Sequence, residues 1–315
     1  MRSLPVLPTL PEPLSPGGPA PPWPHQPTVE WQVCGACNYD CSYCIQAPAH
    51  RVGFPSAEEI DRSLAFLAAL PGRWEIKMTG GEPFVSRLFL DRIVPGLIAT
   101  PHQLSVLTNL SAPPRALARF ARLSRGRLAV VSASLHLQHT STAAFLDRLR
   151  VVRDEAGAGP RFVVNCVLDP ERLPAVRAAR ATVEAAGFTF FPQLMKVKQG
   201  IFAYRPEQLA LVDEIVGGLG AAAEARSANL APAYTGRRCW TGARYLVLLQ
   251  SGDAWSCRSA RRQGEGYLGN VHAGGVALRE GPVACRYTIC PCAVPANRGM
   301  IEGVAARGLG AEVGT

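Results

Sequence analysis

The chain has 315 residues, 48% hydrophobic and 18% charged, with a formal charge of +9. That length buries a substantial core and holds one large domain plus a small one. The absence of an apolar run of roughly eighteen residues excludes a membrane-spanning helix. No basic stretch followed by an apolar one marks the N-terminus for export, so a cytoplasmic protein with no membrane partner is expected.

Residues 1–27 are proline-rich and lack helical or strand periodicity, which predicts a disordered tail. Val29–Cys34 reads as a strand entering a cysteine loop. Ser56 with Glu59 three residues later marks the N-cap of an apolar-periodic helix over 57–70. Strands are then predicted at Trp74–Met78, Gln103–Leu107, Leu128–Leu135, Phe162–Leu168 and Phe188–Val197, with helices over 87–99, 113–123, 141–155, 171–186 and 206–220. These apolar strands suit a parallel sheet covered by helices. Six strand–helix units are too few for a closed eight-fold barrel, so the fold class is α/β, a partial (β/α)6 TIM-like barrel over 28–225.

After an Ala/Gly-rich stretch at 217–232 the periodicity changes. Tyr245–Leu249 and Ala254–Cys257, around a Ser-Gly-Asp turn, read as a hairpin. A small cysteine-rich domain is expected over 226–299, followed by a flexible C-terminus at 300–315.

Only three basic residues are lysines (Lys77, Lys196 and Lys198), and the arginines are spread along the chain. Without a basic block interleaved with aromatics, no nucleic-acid partner is expected. Ten cysteines in a chain with no export signal do not read as a disulfide framework. Four lie at Cys34, Cys37, Cys41 and Cys44, five between Cys239 and Cys292, and Cys166 stands alone. Two thiolate clusters suggest two metal centres.

Cys37, Cys41 and Cys44 form C-x3-C-x2-C. Soft thiolates this close together suit an iron–sulfur cluster or zinc. Three of them cap one face of a cubane and leave the fourth iron open. Cys34 adds a C-x2-C pair with Cys37, so a four-thiolate zinc knuckle is the competing reading. Cys34 is expected instead to end its strand as a packed apolar residue. About thirty-five residues on, after a predicted strand, comes Gly80-Gly81-Glu82-Pro83.

Together the two motifs resemble the radical S-adenosylmethionine (SAM) superfamily, with Tyr43 in the aromatic slot of C-x3-C-x-aromatic-C. The resemblance implies that Cys37, Cys41 and Cys44 hold a 4Fe–4S cluster and that SAM chelates the open iron. It implies reductive cleavage of SAM to a 5′-deoxyadenosyl radical, hydrogen-atom abstraction from a substrate, and an electron donor such as flavodoxin or ferredoxin. Tyr43 would lie near the adenine. Gly80 and Gly81 would let backbone groups approach the SAM ammonium, Glu82 would add negative charge, and Pro83 would fix the exit of the turn. Asn109 and Ser134, at later strand ends, are candidates for the ribose, with turn capping as the alternative. Asn165 and Gln193 lie near further strand ends and are expected to face the cavity. His136 and Lys196 are weak acid–base candidates against a purely structural role.

Cys239, Gly252 and Cys257 form C-x12-G-x4-C, in which the glycine permits the tight turn that returns the chain. With Cys285, Cys290 and Cys292 this resembles the twitch or SPASM auxiliary-cluster domain, although a full SPASM domain carries more cysteines. The resemblance implies one auxiliary 4Fe–4S cluster on Cys239, Cys257 and Cys285, with Cys290 or Cys292 as fourth ligand. Structural zinc is the alternative.

By resemblance, the expected reaction is oxidation (dehydrogenation) of a small natural-product or sugar intermediate or of a peptide residue. The short tail favours a small molecule over a leader-bearing peptide. Epimerisation or peptide modification is the alternative within the enzyme class. A non-catalytic zinc or iron–sulfur scaffold or sensor is the alternative outside it.

Overall fold

The computed structural model describes residues 26–46, 51, 53–197, 200–216, 233–288, 290 and 294–304. Most of the predicted tail, the stretch 217–232, Cys292 and most of the C-terminus lie outside the described residues.

Six parallel strands alternate with helices as the periodicity predicts. β1 (Thr28–Cys34) leads to α1 (Ala57–Ala68), β2 (Glu75–Gly80) to α2 (Val94–Ile98), and β3 (Gln103–Thr108) to α3 (Pro114–Leu123). β4 (Leu128–Leu135) then leads to α4 (Thr142–Ala156), and β5 (Arg161–Val167) to α5 (Leu173–Ala185) and β6 (Thr189–Gln193). This is the wall of a partial TIM-like barrel.

Local chemistry explains the boundaries. The Ser56 hydroxyl accepts from Glu59 N at 3.2 Å while Ser56 N donates to the Glu59 carboxylate at 2.7 Å, the capping box expected for α1. The predicted helix over 87–99 opens instead as a wide π turn at Phe89–Ile93, with Ile93 N donating to Leu88 O at 3.0 Å. Pro95, which has no N–H and crowds the preceding turn, accounts for the widening. The predicted strand Phe188–Val197 is also divided. Met195 N donates to the Tyr204 hydroxyl at 2.9 Å, and the chain leaves the sheet for a hairpin of β7 (Lys196–Val197) and β8 (Gly200–Ile201) before α6 (Pro206–Val216).

The sheet does not stop at β1. Beyond the short β9 (Arg238–Cys239), β10 (Tyr245–Leu248) pairs parallel to β1, placing Tyr245 beside Thr28 and Leu248 beside Trp31. β11 (Asp253–Trp255), β12 (Tyr267–Asn270) and β13 (Gly275–Val276) continue it antiparallel, making ten strands in all, while β14 (Val283–Ala284) pairs with β9 in a separate ribbon. An open β1 edge is a row of unpaired backbone groups, and β10 satisfies it. The cysteine-rich region thus shares the barrel's sheet.

Register fixes what each face carries. Val29, Trp31, Ile76, Met78, Leu104, Val106, Val131 and Val164 pack with the helices into one continuous core. Burial of each such side chain contributes about 1.5–3 kcal/mol. Thr28, Glu30, Glu75, Lys77, Ser105, Ser132, Ser134 and Asn165 occupy the opposite face. The strands therefore alternate. They are not apolar on both faces, because this second face lines an interior that holds charge.

Candidate functional site

The cysteine loop follows β1 directly. Gly81 N donates to Cys34 O and Glu82 N to Ala36 O, both at 2.9 Å, laying the Gly-Gly-Glu-Pro turn against the loop backbone. A Cβ on Gly80, whose φ is +151°, would sit 2.3 Å from Cys34 O, and one on Gly81 2.0 Å from Ala36 O. Both glycines are therefore required by the close approach of the cysteine-loop backbone.

Glu82 ties the strand ends together. Its side chain is fully buried, accepting from the Thr108 hydroxyl at 2.7 Å, Asn109 N at 2.6 Å and Phe84 N at 3.3 Å. It caps the turn that begins at the buried Pro83 and ties the end of β2 to the end of β3. Burial, only partly offset by these donors, raises its pKa to about 7. Asn109 likewise points into protein, donating to Asn38 Oδ1 at 3.1 Å and accepting from Ser111 N at 2.9 Å. Through Asn38 it braces the cysteine loop.

The other side of the loop is clamped by residues after β4. Gln138 accepts from Ser42 N at 3.1 Å and donates to the Ser42 hydroxyl at 2.7 Å. The Tyr43 hydroxyl lies 3.0 Å from His136 Nδ1, and Tyr39 stacks on His139 with ring centroids 4.3 Å apart. Burial, with His139 nearby, lowers the His136 pKa to about 4, so the ring is neutral near pH 7 and orients Tyr43. Lys196 lies on the β7 hairpin. Half-buried Ser134, opposite Asn165 on the interior face, makes no side-chain hydrogen bond among the described residues. Gln193 ends β6.

The donor set fits a three-thiolate cluster. Burial and the neighbouring Cys44 and Cys37 thiols push Cys41 up to about 11, so the three sulfurs share one electrostatic neighbourhood. Ionising them together calls for the positive charge that iron supplies. Cys34 is turned away, its fully buried thiol donating to Glu82 O at 3.3 Å. Cys166 is buried under the sheet, as expected of a core thiol.

The second set gathers at the opposite strand ends. Cys239, Cys257, Cys285 and Cys290 line one cavity of about 270 Å³ together with Arg258 and Arg279. Burial first, and then the Cys257 and Cys285 thiols, raises Cys239 to about 11. Gly252 turns the hairpin at φ +84°, with Asn270 and His272 atoms 2.6 Å from where a Cβ would stand. The hairpin tip returns to the first loop, where Gly35 N donates to the Gln250 side chain at 2.5 Å. The two cysteine sets therefore lie roughly a strand length apart, on the order of 20 Å. Among the described residues no three His, Cys, Asp or Glu side chains converge on a single-ion site.

Sequence reasoning missed the charges between the two sets. Buried Glu75 accepts from Arg298 at 3.0 and 3.2 Å and from Ser105 at 2.6 Å. Buried Glu30 accepts from Arg258 at 2.8 Å and from the Tyr245 hydroxyl. The readable signal was a carboxylate inside an otherwise apolar strand.

Comparison with known proteins bears on the first cysteine loop and the strands around it. Residues 31–160 match the Radical SAM superfamily model. A GTP 3′,8-cyclase from Stenotrophomonas maltophilia (strain K279a) is 34% identical over 152 residues, 45% of this chain and 46% of that protein. Another, from Actinobacillus pleuropneumoniae serotype 5b (strain L20), is 38% identical over 63 residues, 19% of this chain and 18% of that protein. The match spans less than half the length of these curated relatives. Among solved structures, native anSMEcpe with bound AdoMet and Kp18Cys peptide superposes with a TM-score of 0.54 at 12% identity, covering 79% of this chain and 78% of that one. At that identity the likeness is one of fold. No described helix is long and apolar enough to cross a membrane.

Proposed function

We propose that this chain, which carries a radical SAM domain over residues 31–160, initiates radical chemistry on a substrate held between its two cysteine sets. The carrying observation is the three-thiol loop, with Cys34 turned out of it and the loop braced on both sides. Cys37, Cys41 and Cys44 would hold a 4Fe–4S cluster, which supplies the electron that cleaves bound SAM to a hydrogen-abstracting 5′-deoxyadenosyl radical. Tyr43, oriented by His136, flanks that position, and Ser134 offers a hydroxyl to a ligand on the interior face.

Cys239, Cys257, Cys285 and Cys290 would hold an auxiliary 4Fe–4S cluster in their shared cavity. Placed at the far end of the interior, it would take up the substrate's second electron, making the reaction a dehydrogenation of a small natural-product or sugar intermediate or of a peptide residue. A flavodoxin- or ferredoxin-like donor would supply the first electron. A second reading, cyclisation of GTP, rests on the likeness to the GTP 3′,8-cyclases.

Anaerobic reconstitution with iron and sulfide, followed by reduction with SAM, tests the proposal. About eight irons per chain and release of 5′-deoxyadenosine are expected. Zinc without labile sulfide would overturn it.

A further inference from the structure

Two sulfurs of the second cysteine set already receive hydrogen bonds from the chain around them. Thr241, buried just past β9, directs both its N–H and its hydroxyl at the Cys239 sulfur. Ala260 N donates to Cys257 Sγ at 3.3 Å, where the chain turns into the short helix Arg258–Arg262. Burial raises the Cys257 thiol, and the Ala260 and Ser259 N–H groups and the Arg279 charge oppose it.

Arg279 is placed by backbone geometry. It lines the same cavity as Cys239, Cys257, Cys285 and Cys290. Its own N–H donates to Gly242 O at 2.9 Å and its guanidinium to Thr241 O at 3.1 Å, so the side chain runs along residues 241–242. Gly242 has a φ of +83°, and a Cβ there would stand 2.9 Å from Arg279 Cδ. The glycine makes room for the arginine. Two other arginines of the cavity wall answer to carboxylates, Arg258 to Glu30 at 2.8 Å and Arg286 to Glu265 at 2.6 Å. The Thr241 carbonyl that anchors Arg279 is neutral and adds no opposing charge.

Hydrogen bonds to cluster sulfurs and nearby positive charge stabilise the reduced, more negative form and so raise a reduction potential. We propose that Arg279, laid along Thr241-Gly242 and aided by the Thr241 hydroxyl, raises the reduction potential of the auxiliary cluster and makes the second set an electron acceptor. Arg279 is thus a tuning residue that acts through charge and ligates no iron. The inference rests on the auxiliary-cluster reading and names the residues that set its redox role.

An EPR-monitored redox titration of the full chain tests it, after anaerobic reconstitution in a Cys41→Ala background so that the signal comes from the second set. Arg279→Gln should lower the one-electron reduction equilibrium about tenfold, or ~59 mV, with about four irons per chain retained. Arg279→Lys, which keeps the charge, should stay within about threefold of the parent. Thr241→Val, which removes one donor, should lower the equilibrium by about threefold. Equal midpoints for the parent and Arg279→Gln, or a drop as large with lysine as with glutamine, would overturn the inference while the cluster stands. Iron lost from Arg279→Gln alone would make the arginine a scaffold and overturn it as well. A parent with no cluster at the second set would instead sink the auxiliary-cluster reading, and this inference with it.

Discussion

The two cysteine regions reach similar donor sets by different means. The first packs three thiols into eight residues, Cys37 to Cys44, so local chain geometry brings them together. The second gathers Cys239, Cys257, Cys285 and Cys290 across more than fifty residues, and relies on a hairpin, a ribbon and buried ion pairs. Loop closure costs more for the longer span, so the second region leans on tertiary support that the first does not need.

The largest effects should separate the two regions chemically. Cys41→Ala should lower 5′-deoxyadenosine formation by about a thousandfold or more while the other set keeps its iron. Chromatographic quantification of 5′-deoxyadenosine, with iron analysis, checks this, and retained cleavage would break the assignment. Cys257→Ala should do the reverse, sparing SAM cleavage to within about threefold while substrate turnover is lost. If both variants behaved alike, the division of labour between the regions would fail.

Structural substitutions sharpen the contrast. Gly81→Ala forces a Cβ to within 2.0 Å of Ala36 O. It should cost on the order of 3 kcal/mol and displace the first loop, lowering the iron held there. Arg298→Met leaves Glu75 buried without its charge partner and should cost about 3–5 kcal/mol in a denaturant titration. Adding Glu75→Gln should restore a large part of that loss.

The smallest effect is one of pH, and its sign differs between the regions. Burial raises Glu82 from 4.5 to about 7, so the folded chain holds that proton more tightly than the unfolded one. The stability Glu82 contributes is full below about pH 4.5 and is lost as pH rises through about 7. Burial also acts to raise Glu30, but the Arg258 and Lys77 charges and hydrogen bonds from Arg258 and Tyr245 outweigh it and hold the pKa at about 2. Its contribution is full above about pH 4.5 and is lost as pH falls through about 2. Urea midpoints followed against pH should show Glu82→Gln and Glu30→Gln each removing one of these opposite slopes.

Much was legible without coordinates wherever the controlling interaction is local. The Ser56–Glu59 cap, the strand–helix alternation and the three-cysteine spacing depend on neighbours within a few residues, and the structure has all three. The hairpin turn at Gly252 belongs with them. The glycine pair was visible too, but the loop backbone packed against it was not. What crowds Gly80 and Gly81 is backbone more than forty residues earlier in the chain.

By itself, then, the sequence determined the barrel's repeat, the cysteine loop and the hairpin, because spacing and periodicity act over short stretches of chain. Only the tertiary structure decided that β10 extends the barrel sheet, that Glu82 and Asn109 brace the loop, and that Glu30 and Glu75 meet Arg258 and Arg298. Those pairings span up to 228 residues, and a buried charge finds its partner through the fold, not through its place in the chain.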